Sequence, residues 1–363
     1  MGVERPLRAP PSVDAILRSP VLEDAVKTYA HQPLVRLIRE TVDSARRQTS
    51  SGGKSTGVDE LALEVLRRIT TEWTPAPRYV LNATGVLLHT NLGRARLSEE
   101  AIQALQRTSS YSDVELDLET GARGRRNSNL EAVLRALTGA EAATAVTNNA
   151  AAVLLCLTAL ARGKEVIVSR GQAVEIGGGF RIPAILAQSG SRLVEVGTTN
   201  RTRVDDYDSA ITARSAAILH VHRSNFQIVG FTDEPSISEL AALAHERDLL
   251  LIADNGSGAL LDTARFGLRH EPTPIEAIAD GADVVAFSGD KMLGGPQSGI
   301  LAGTEAPIRR IERHPLARAM RLDKLILAAL SATLQSYLRG SASTEIPFWR
   351  MVAQSNEYLR QRA

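Results

Sequence analysis

Apolar and polar positions follow two patterns along the chain, and one replaces the other near residue 140. Before that point apolar residues recur every three or four positions, as at Leu34, Leu37, Ile38 and Val42, which is the spacing of an amphipathic helix. After it, short apolar runs rich in β-branched residues alternate with helical stretches. These runs are AATAVT, EVIVS, RLVEVG, AAILHVH, LLLIADN, ADVVAFSGD and GILAG. The alternation predicts an α/β fold in which helices cover a mostly parallel sheet and ligands bind at the carboxyl ends of its strands.

The same patterns divide the chain into four predicted segments, with the run SSGGKSTG at 50–57 as a flexible linker. The first is a small helical N-terminal domain at 1–57, and the second a linker helix with an N-terminal active-site segment at 58–138. The third is a large cofactor-binding domain at 139–305. The fourth, at 306–363, is a helical segment that begins an incomplete C-terminal domain.

Length and composition indicate an ordinary globular chain of two or three domains, with 363 residues, 44% hydrophobic and 23% charged. The longest nearly uninterrupted apolar run, Ala150 to Ala161, is shorter than the roughly 18 residues that a membrane span needs. The N-terminus has acids and prolines where an export signal would have a continuous apolar stretch. We therefore expect a cytoplasmic protein without a membrane partner.

The chain has a single cysteine, Cys156, so an intrachain disulfide and a multi-thiolate zinc site within one chain are excluded. Its setting, AVLLCLTAL, predicts a buried structural thiol rather than a nucleophile. No metal site is expected.

The charge balance, 42 basic against 41 acidic residues, argues against nonspecific attraction to nucleic acid through net charge. Two local arginine clusters remain as candidate anion sites, although such clusters are more often solvated faces. The first comprises Arg123, Arg125 and Arg126; the second comprises Arg309, Arg310, Arg313, Arg318, Arg321 and Lys324.

Lys291 lies just past the run ADVVAF and before a glycine-rich turn. A lysine held there can form a Schiff base with a cofactor carbonyl if its pKa is depressed. Ser288, three residues earlier, is placed to bind a phosphate oxygen. Asp254 ends the apolar run LLLIAD, where a carboxylate can pair with a protonated pyridine nitrogen; a helix cap or a metal ligand is the other reading of such a residue.

A phosphate loop is predicted where Thr147, Asn148 and Asn149 end one apolar run and small residues open a helix. The free N–H groups of such a helix start attract phosphate, although Asn is also an ordinary helix cap. Phosphate loop, strand-end Asp and Lys in this chain order are typical of a pyridoxal-phosphate enzyme of the aminotransferase type. The order is more informative than any one member.

Several longer runs resemble one known family. They are VLNATGVLLHTNLGRARLS, ELDLETGARGRR, VSRGQAVEIGGGFRIP, VGTTNRTR, HRSNFQIVGF, ADNGSG and SGDKMLGGPQSG. The helical start, PSVDAILRSP with YAHQPLVRLIRE, is similar too. Together they resemble the bacterial L-seryl-tRNA(Sec) selenium transferases, the selenocysteine synthases, from about residue 10 to the end.

This resemblance implies a homodecamer, a ring of dimers, that uses pyridoxal phosphate to convert serine esterified to tRNA(Sec) into selenocysteine with selenophosphate. The serine hydroxyl would be eliminated and selenium added to an aminoacrylyl intermediate. The N-terminal helical domain would bind the body of the tRNA.

The resemblance also assigns roles to residues that match the family's motifs. Lys291 would be the Schiff-base lysine, and Asp254 the partner of the pyridine nitrogen. The selenophosphate pocket would be formed by Arg94, Arg318 and Arg321. Other matched positions are Asn225 and Asp290 beside the reacting centre, and Thr198 and Thr199 near contacts between dimers.

Two departures from the family pattern stand out. Gln172 and Ala173 occupy a segment expected to read RGELVEIGG, and family members continue beyond residue 363 with a C-terminal domain. We therefore expect the chain to lack that domain and leave the role of the Gln172 segment open.

Three histidines have two readings each. His89 lies beside the NLGRA turn, where it can act near the site. The alternative is that His89 has no such role and that Asn91 holds the turn together. His220 and His222 are two positions apart, a spacing that metal ligands can have. Because the sequence shows no third ligand, structural hydrogen bonding is the favoured role for both histidines.

Two competing functions remain open. A pyridoxal-phosphate lyase or aldolase acting on a small anionic amino acid or sugar would use the same lysine and arginines without RNA, but would not need the helical N-terminus. A nonenzymatic RNA-binding relative would be expected to lose Lys291 or Asp254, and both are present.

Overall fold

The computed structural model describes residues 11–50, 56–176 and 179–362. It divides into two compact units, Met1–Leu81 and Asn82–Ala363. Residues 51–55 of the predicted linker lie outside the described residues. In the part of the chain that is described, no helix has the length and apolar character needed to cross a membrane.

The first unit is a helical cluster. Ser12 begins it by accepting a hydrogen bond from the N–H of Ala15, as a helix cap does. Its core combines Leu34 and Ile38 with Leu61 and Val65 of the following helix. The unit therefore continues past the predicted segment 1–57, because the helix after the linker packs into the same core. Its helices are α1 Val13–Leu17, α2 Glu23–Thr28, α3 His31–Ser50 and α4 Val58–Arg68.

The second unit contains a seven-stranded sheet whose strands coincide with the seven predicted runs. The order is β1-β9-β8-β7-β6-β2-β5, and β9 runs in the direction opposite to that of the other six strands. The predicted mostly parallel sheet is thus confirmed. The strands are β1 Ala142–Val146, β2 Glu165–Ser169, β5 Arg192–Val196, β6 Ser215–Val221, β7 Leu250–Asn255, β8 Val284–Ser288 and β9 Gly299–Gly303, and a separate hairpin pairs β3 Glu175–Ile176 with β4 Phe180–Arg181.

Helices cover both faces of this sheet, and strands β1, β2, β8 and β9 are buried along their whole length. One core packs Phe287 and Leu251 under helices α6, α10 and α14, and the other packs Leu219 and Ile252 under α7, α8 and α12. The helices of the unit are α5 Glu99–Thr108, α6 Ser128–Thr138, α7 Asn149–Ala161, α8 Ile182–Ser189, α9 Val204–Ala210, α10 Ile237–Glu246, α11 Pro274–Ala279, α12 Glu305–Arg313, α13 Pro315–Ala319, α14 Lys324–Leu338, α15 Ala342–Glu345, α16 Pro347–Val352 and α17 Asn356–Arg362.

Cys156 lies on α7 within the second of these cores and is fully buried. Burial raises the pKa of its thiol to about 12, so the thiolate does not form near neutrality. The predicted structural thiol is confirmed.

Candidate active site

Asp254 lies near the carboxyl end of β7, paired with Val221 of β6 and Ala286 of β8. Its Oδ1 accepts a hydrogen bond of 2.7 Å from Asn149 Nδ2. Its Oδ2 is buried and has no hydrogen-bond partner among the described residues. Burial raises the pKa of Asp254, against the opposing effects of the Asn149 hydrogen bond and the Lys291 charge. An unpartnered buried carboxylate oxygen fits the protonated ring nitrogen of pyridoxal phosphate, because that N–H would satisfy it.

The segment predicted to be a phosphate loop lies at the start of α7. Asn148 caps the helix, since its Oδ1 accepts a 2.8 Å hydrogen bond from the N–H of Ala151. A β-carbon at Gly299 would lie 2.1 Å from the Asn148 carbonyl oxygen, so only glycine lets β9 pass this close. Asn149 Oδ1 is buried and has no partner in the described part of the chain. At the start of this 13-residue helix, the cap satisfies the N–H of Ala151, and the N–H groups of Asn149 and Ala150 precede it in the first turn, where an anion binds.

Lys291 lies in the turn after β8, opposite the turn after β7. A β-carbon at Gly256 would be only 3.5 Å from Lys291 Nζ, so the amine lies over that glycine. Burial and the nearby Arg94 charge lower the pKa of Lys291, while Asp254, Asp290 and Glu271 act the other way. A lysine with a lowered pKa has more of the neutral amine that attacks a carbonyl.

The two turns are packed together by backbone contacts. Gly258 has φ +65°, and a β-carbon there would lie 2.1 Å from the carbonyl oxygen of Ser288. The N–H of Met292 donates to the carbonyl of Ser257 at 3.0 Å. Ser288 itself is buried at the end of β8. The structure thus brings Asp254, Ser288 and Lys291 to one edge of the sheet.

Arg94 and Asp290 join the NLGRA loop to the lysine turn. Arg94 Nη1 donates to Asp290 Oδ2 at 2.9 Å, and the N–H of Ala95 donates to the Asp290 carbonyl at 3.1 Å. Arg94 also has φ +61°, an uncommon left-handed conformation for a non-glycine residue. His89 holds this loop, because its Nδ1 accepts from the N–H of Asn91 at 3.2 Å.

Asn225 lies on an exposed loop that lines a cavity of about 1350 Å³ together with Asp254 and His222. His222 Nε2 is 2.9 Å from Glu271 Oε1, and the N–H of His222 donates to the Asp254 carbonyl at 3.0 Å. Burial lowers the pKa of His220 to about 4, so this ring is neutral at pH 7. Within the described ranges no group of three or more His, Cys, Asp or Glu residues is arranged to hold a metal ion.

All three members of the first predicted arginine cluster and four of the second, Arg309, Arg313, Arg318 and Arg321, line a single cavity of about 620 Å³. Arg126 Nε and Nη1 are buried there without a hydrogen bond to any described residue, and Nη1 makes a longer ion pair of 3.7 Å with Glu115 Oε1. Arg321 Nη1 lies 3.3 Å from Glu115 Oε1, and Arg318 is exposed. Arg94 lines a different cavity, of about 440 Å³, with Asp290. One chain therefore does not place the predicted arginines of the selenophosphate pocket around one space.

The remaining predicted positions lie in turns after other strands of the sheet. Thr198 and Thr199 are in an exposed turn after β5, where Thr198 Oγ1 donates to the Arg201 carbonyl at 3.0 Å. Gln172 is fully buried in the turn after β2. No sequence pattern indicated its contact with Glu234, because the two residues are 62 positions apart.

Comparison with known proteins identifies the family. A family model described as L-seryl-tRNA selenium transferase matches residues 80–363, and one described as selenocysteine synthase N terminal matches residues 7–46. The L-seryl-tRNA(Sec) selenium transferase of Carboxydothermus hydrogenoformans is 47% identical over 100% of this chain and 78% of its own length. The protein of that name from Geobacter sulfurreducens is 47% identical over 97% of this chain and 78% of its own length.

Solved structures show the same fold at low identity. D-glucosaminate-6-phosphate ammonia-lyase is 24% identical with a TM-score of 0.56, over 69% of this chain and 66% of that one. A mutant Thermus thermophilus aspartate aminotransferase is 21% identical with a TM-score of 0.51, over 73% of this chain and 67% of that one. The predicted aminotransferase-like fold and the predicted family are both confirmed. With a family model over residues 80–363 and relatives 47% identical along nearly its whole length, the chain belongs to the L-seryl-tRNA selenium transferase family.

Proposed function

We propose that this chain converts L-seryl-tRNA(Sec) to L-selenocysteinyl-tRNA(Sec) with pyridoxal phosphate as cofactor and selenophosphate as selenium donor. One observation carries the proposal. Asp254, whose Oδ2 is buried without a hydrogen-bond partner among the described residues, and the partly buried amine of Lys291 lie at the same edge of the sheet. Family membership supports the reaction. When bound, pyridoxal phosphate supplies an electron sink for the negative charge that develops at the serine Cα.

Different residues at the sheet edge would bind different parts of the cofactor. Asp254 would bind the ring nitrogen, with Asn149 fixing the carboxylate through the 2.7 Å hydrogen bond. The start of α7, with Asn148 and Asn149, and the Ser288 hydroxyl would bind the phosphate. Lys291 Nζ would hold the cofactor aldehyde at rest and then move the Cα proton of serine.

Residues of the neighbouring loops would orient the serine. Asp290 holds Arg94 beside the lysine through the 2.9 Å ion pair, and Asn225 faces the cavity that contains Asp254. His89 would act through the loop that it caps. The serine hydroxyl would leave as water after protonation. Selenium would then form a bond to Cβ while the Se–P bond of the donor breaks and a water molecule takes the phosphoryl group, which releases phosphate.

The arginine cavity is the proposed site of the selenium donor. Its cations offer planar guanidinium groups that bind a phosphate-sized dianion in pairs of hydrogen bonds. Arg126 Nε is buried without a hydrogen-bond partner among the described residues, and Nη1 has only a 3.7 Å ion pair with Glu115, so a bound oxyanion would supply the hydrogen bonds that these two groups lack. Arg318 and Arg321 line the same space.

Arg318→Ala is expected to reduce the apparent affinity for selenophosphate at least about tenfold, because one charge-assisted contact is worth about 1.5–3 kcal/mol. The affinity for seryl-tRNA(Sec) is expected to stay nearly unchanged. Donor titrations of the transfer rate and a separate tRNA binding assay measure the two effects. Arg310→Ala is the matched control, since Arg310 lies on α12 but does not line the cavity. A loss of tRNA affinity with an unchanged donor response would reverse the assignment.

The N-terminal unit is the proposed tRNA-binding element. The chain's net charge of +1 favours recognition of tRNA shape through specific contacts over nonspecific attraction. The helix α4 belongs to this unit, so the unit to remove is residues 1–81 rather than the predicted 1–57 segment.

Deleting residues 1–81 is expected to weaken binding of seryl-tRNA(Sec) at least about tenfold, a loss of about 1.4 kcal/mol. Cofactor absorbance and circular dichroism should show that the sheet unit still folds and binds pyridoxal phosphate. Unchanged tRNA affinity in a folded deletion variant would remove the proposed role of this unit.

We propose a homo-oligomer built from dimers, a decamer by the family resemblance. Several large apolar side chains of the second unit are exposed, including Leu118 at 74%, Val229 at 87% and Phe231 at 85%, and a second copy would cover such residues. A common pocket for Arg94, Arg318 and Arg321 would also need a second copy, since one chain keeps them in separate cavities. The cytoplasmic location stays a prediction.

The test of the proposed function uses the cofactor-loaded protein and its visible absorbance. Seryl-tRNA(Sec) is expected to change the spectrum at micromolar concentration, while free serine and small anionic amino acids or sugars leave it unchanged. The opposite result, a response to small substrates alone, would favour a lyase or aldolase and overturn the proposal.

A further inference from the structure

The side chain of Gln172 completes the edge of strand β6. Pairing between β2 and β6 ends at Ile167 and Ile218, so the N–H of Val221 lies beyond the ladder. Gln172 Oε1 accepts from this N–H at 2.9 Å, in place of a strand carbonyl. Val221 is the residue that pairs with Asp254 in the next strand. The carboxamide is thus built into the sheet edge next to the candidate site.

The other end of the same carboxamide binds Glu234. Gln172 Nε2 donates to Glu234 Oε1 at 2.5 Å, and Arg223 Nη2 donates to Glu234 Oε2. Arg223 and Glu234 are the two ends of the loop 223–234, so their ion pair closes it. The loop is mostly exposed and carries Asn225. Gln172 is fully buried and connects the paired ends of this loop to the sheet.

We propose that Gln172 is a positioning residue that anchors the loop 223–234, and with it Asn225, to the end of β6, and that its neutral amide keeps this anchor independent of pH. The use of Asn225 in selenium transfer rests on the proposed function; the anchor itself does not. This assigns a role to the position where the sequence departs from the family pattern.

The amide matters because the groups around it are charged or titratable. A glutamate at this position could still accept from Val221, but its second oxygen would face the Glu234 carboxylate. Two carboxylates at hydrogen-bond distance raise the pKa of one of them, so the contact survives only while that group is protonated. The other groups facing this cluster are Arg223, His220, His222, Asp233 and Tyr207, and burial keeps the pKa of His220 at about 4.

Hydrogen–deuterium exchange of loop 223–234 in the full-length chain tests the anchor. In Gln172→Glu, the exchange rates relative to wild type at the same pH should rise about tenfold or more near about pH 8 and return toward wild type near about pH 5.5. Gln172→Ala should raise exchange at both pH values. Gln188→Glu, the same change at an exposed position of α8, should leave the loop unchanged.

Two outcomes would overturn the inference. If loop 223–234 of Gln172→Glu exchanged at the wild-type rate at every pH, the anchor would not depend on this amide. If exchange in Gln172→Glu were raised and stayed raised at low pH, protonation would not restore the contact. The proposal that the neutral amide makes the anchor independent of pH would then be wrong. Recovery at low pH also separates the anchor from simple misfolding. If exchange behaves as expected but wild type fails to respond to seryl-tRNA(Sec), the proposed function fails and the anchor stands.

Discussion

Replacing Lys291 with alanine is expected to lower the rate of selenium transfer by at least about 10³-fold, because the variant loses both the amine that holds the cofactor and the group that moves the Cα proton. Lys164→Ala is the matched control, since Lys164 is exposed before β2. Single-turnover rates with seryl-tRNA(Sec) and selenophosphate measure the effect. Retention of more than a tenth of the wild-type rate would contradict the assignment.

Borohydride reduction of the cofactor-loaded chain, followed by peptide mass mapping, locates the attachment directly. The modification is expected on the peptide that contains Lys291. Its presence on another lysine would remove Lys291 from the site, whatever the kinetics of the alanine variant.

Asp254→Asn is expected to lower the transfer rate by about 10²–10⁴-fold while raising the melting temperature of the cofactor-free protein. Burial raises the pKa of Asp254, so the folded chain binds this proton more tightly than the unfolded chain. The ionised carboxylate therefore destabilises the fold at pH values above the raised pKa, and lowering the pH restores the lost stability. An amide removes that charge but cannot stabilise a protonated pyridine nitrogen.

Calorimetry of the cofactor-free proteins and single-turnover kinetics of the loaded ones measure the two effects of this change. Asp248→Asn is the control, because Asp248 is exposed and has φ +55°, which asparagine also adopts readily. A lower melting temperature together with full activity would contradict both the burial argument and the proposed role of Asp254.

The strands of the sheet were predictable because each is a short, mostly apolar run bounded by turns, a pattern that needs no knowledge of distant residues. Strand-end positions followed, so Asp254, Ser288 and Lys291 could be placed at one edge in advance. The two-residue strands β3 and β4 are too short to leave such a pattern. Periodicity reveals a helix but not the core into which it packs, so the sequence did not show that α4 shares the core of the first compact unit.

The contacts that refine the site were not predictable from the sequence. Asn149 and Asp254 lie 105 positions apart, and their hydrogen bond exists only because β1 and β7 belong to one sheet. Likewise, the two arginine clusters were visible separately, but their meeting in one cavity depends on how α12 and α13 pack. The separation of Arg94 from Arg318 and Arg321 is also a property of the fold, because a motif carries no information on which cavity it lines.

The most direct test of the central claim is the mass of the amino acid recovered from tRNA(Sec) after the cofactor-loaded chain has acted on seryl-tRNA(Sec) with selenophosphate. Reactions without the donor, and with Lys291→Ala in place of wild type, are the controls. We expect selenocysteine from the complete wild-type reaction and serine from the Lys291→Ala control. Recovery of serine alone from the complete reaction, with pyridoxal phosphate shown to be bound, would contradict the assignment of selenium transfer to this chain.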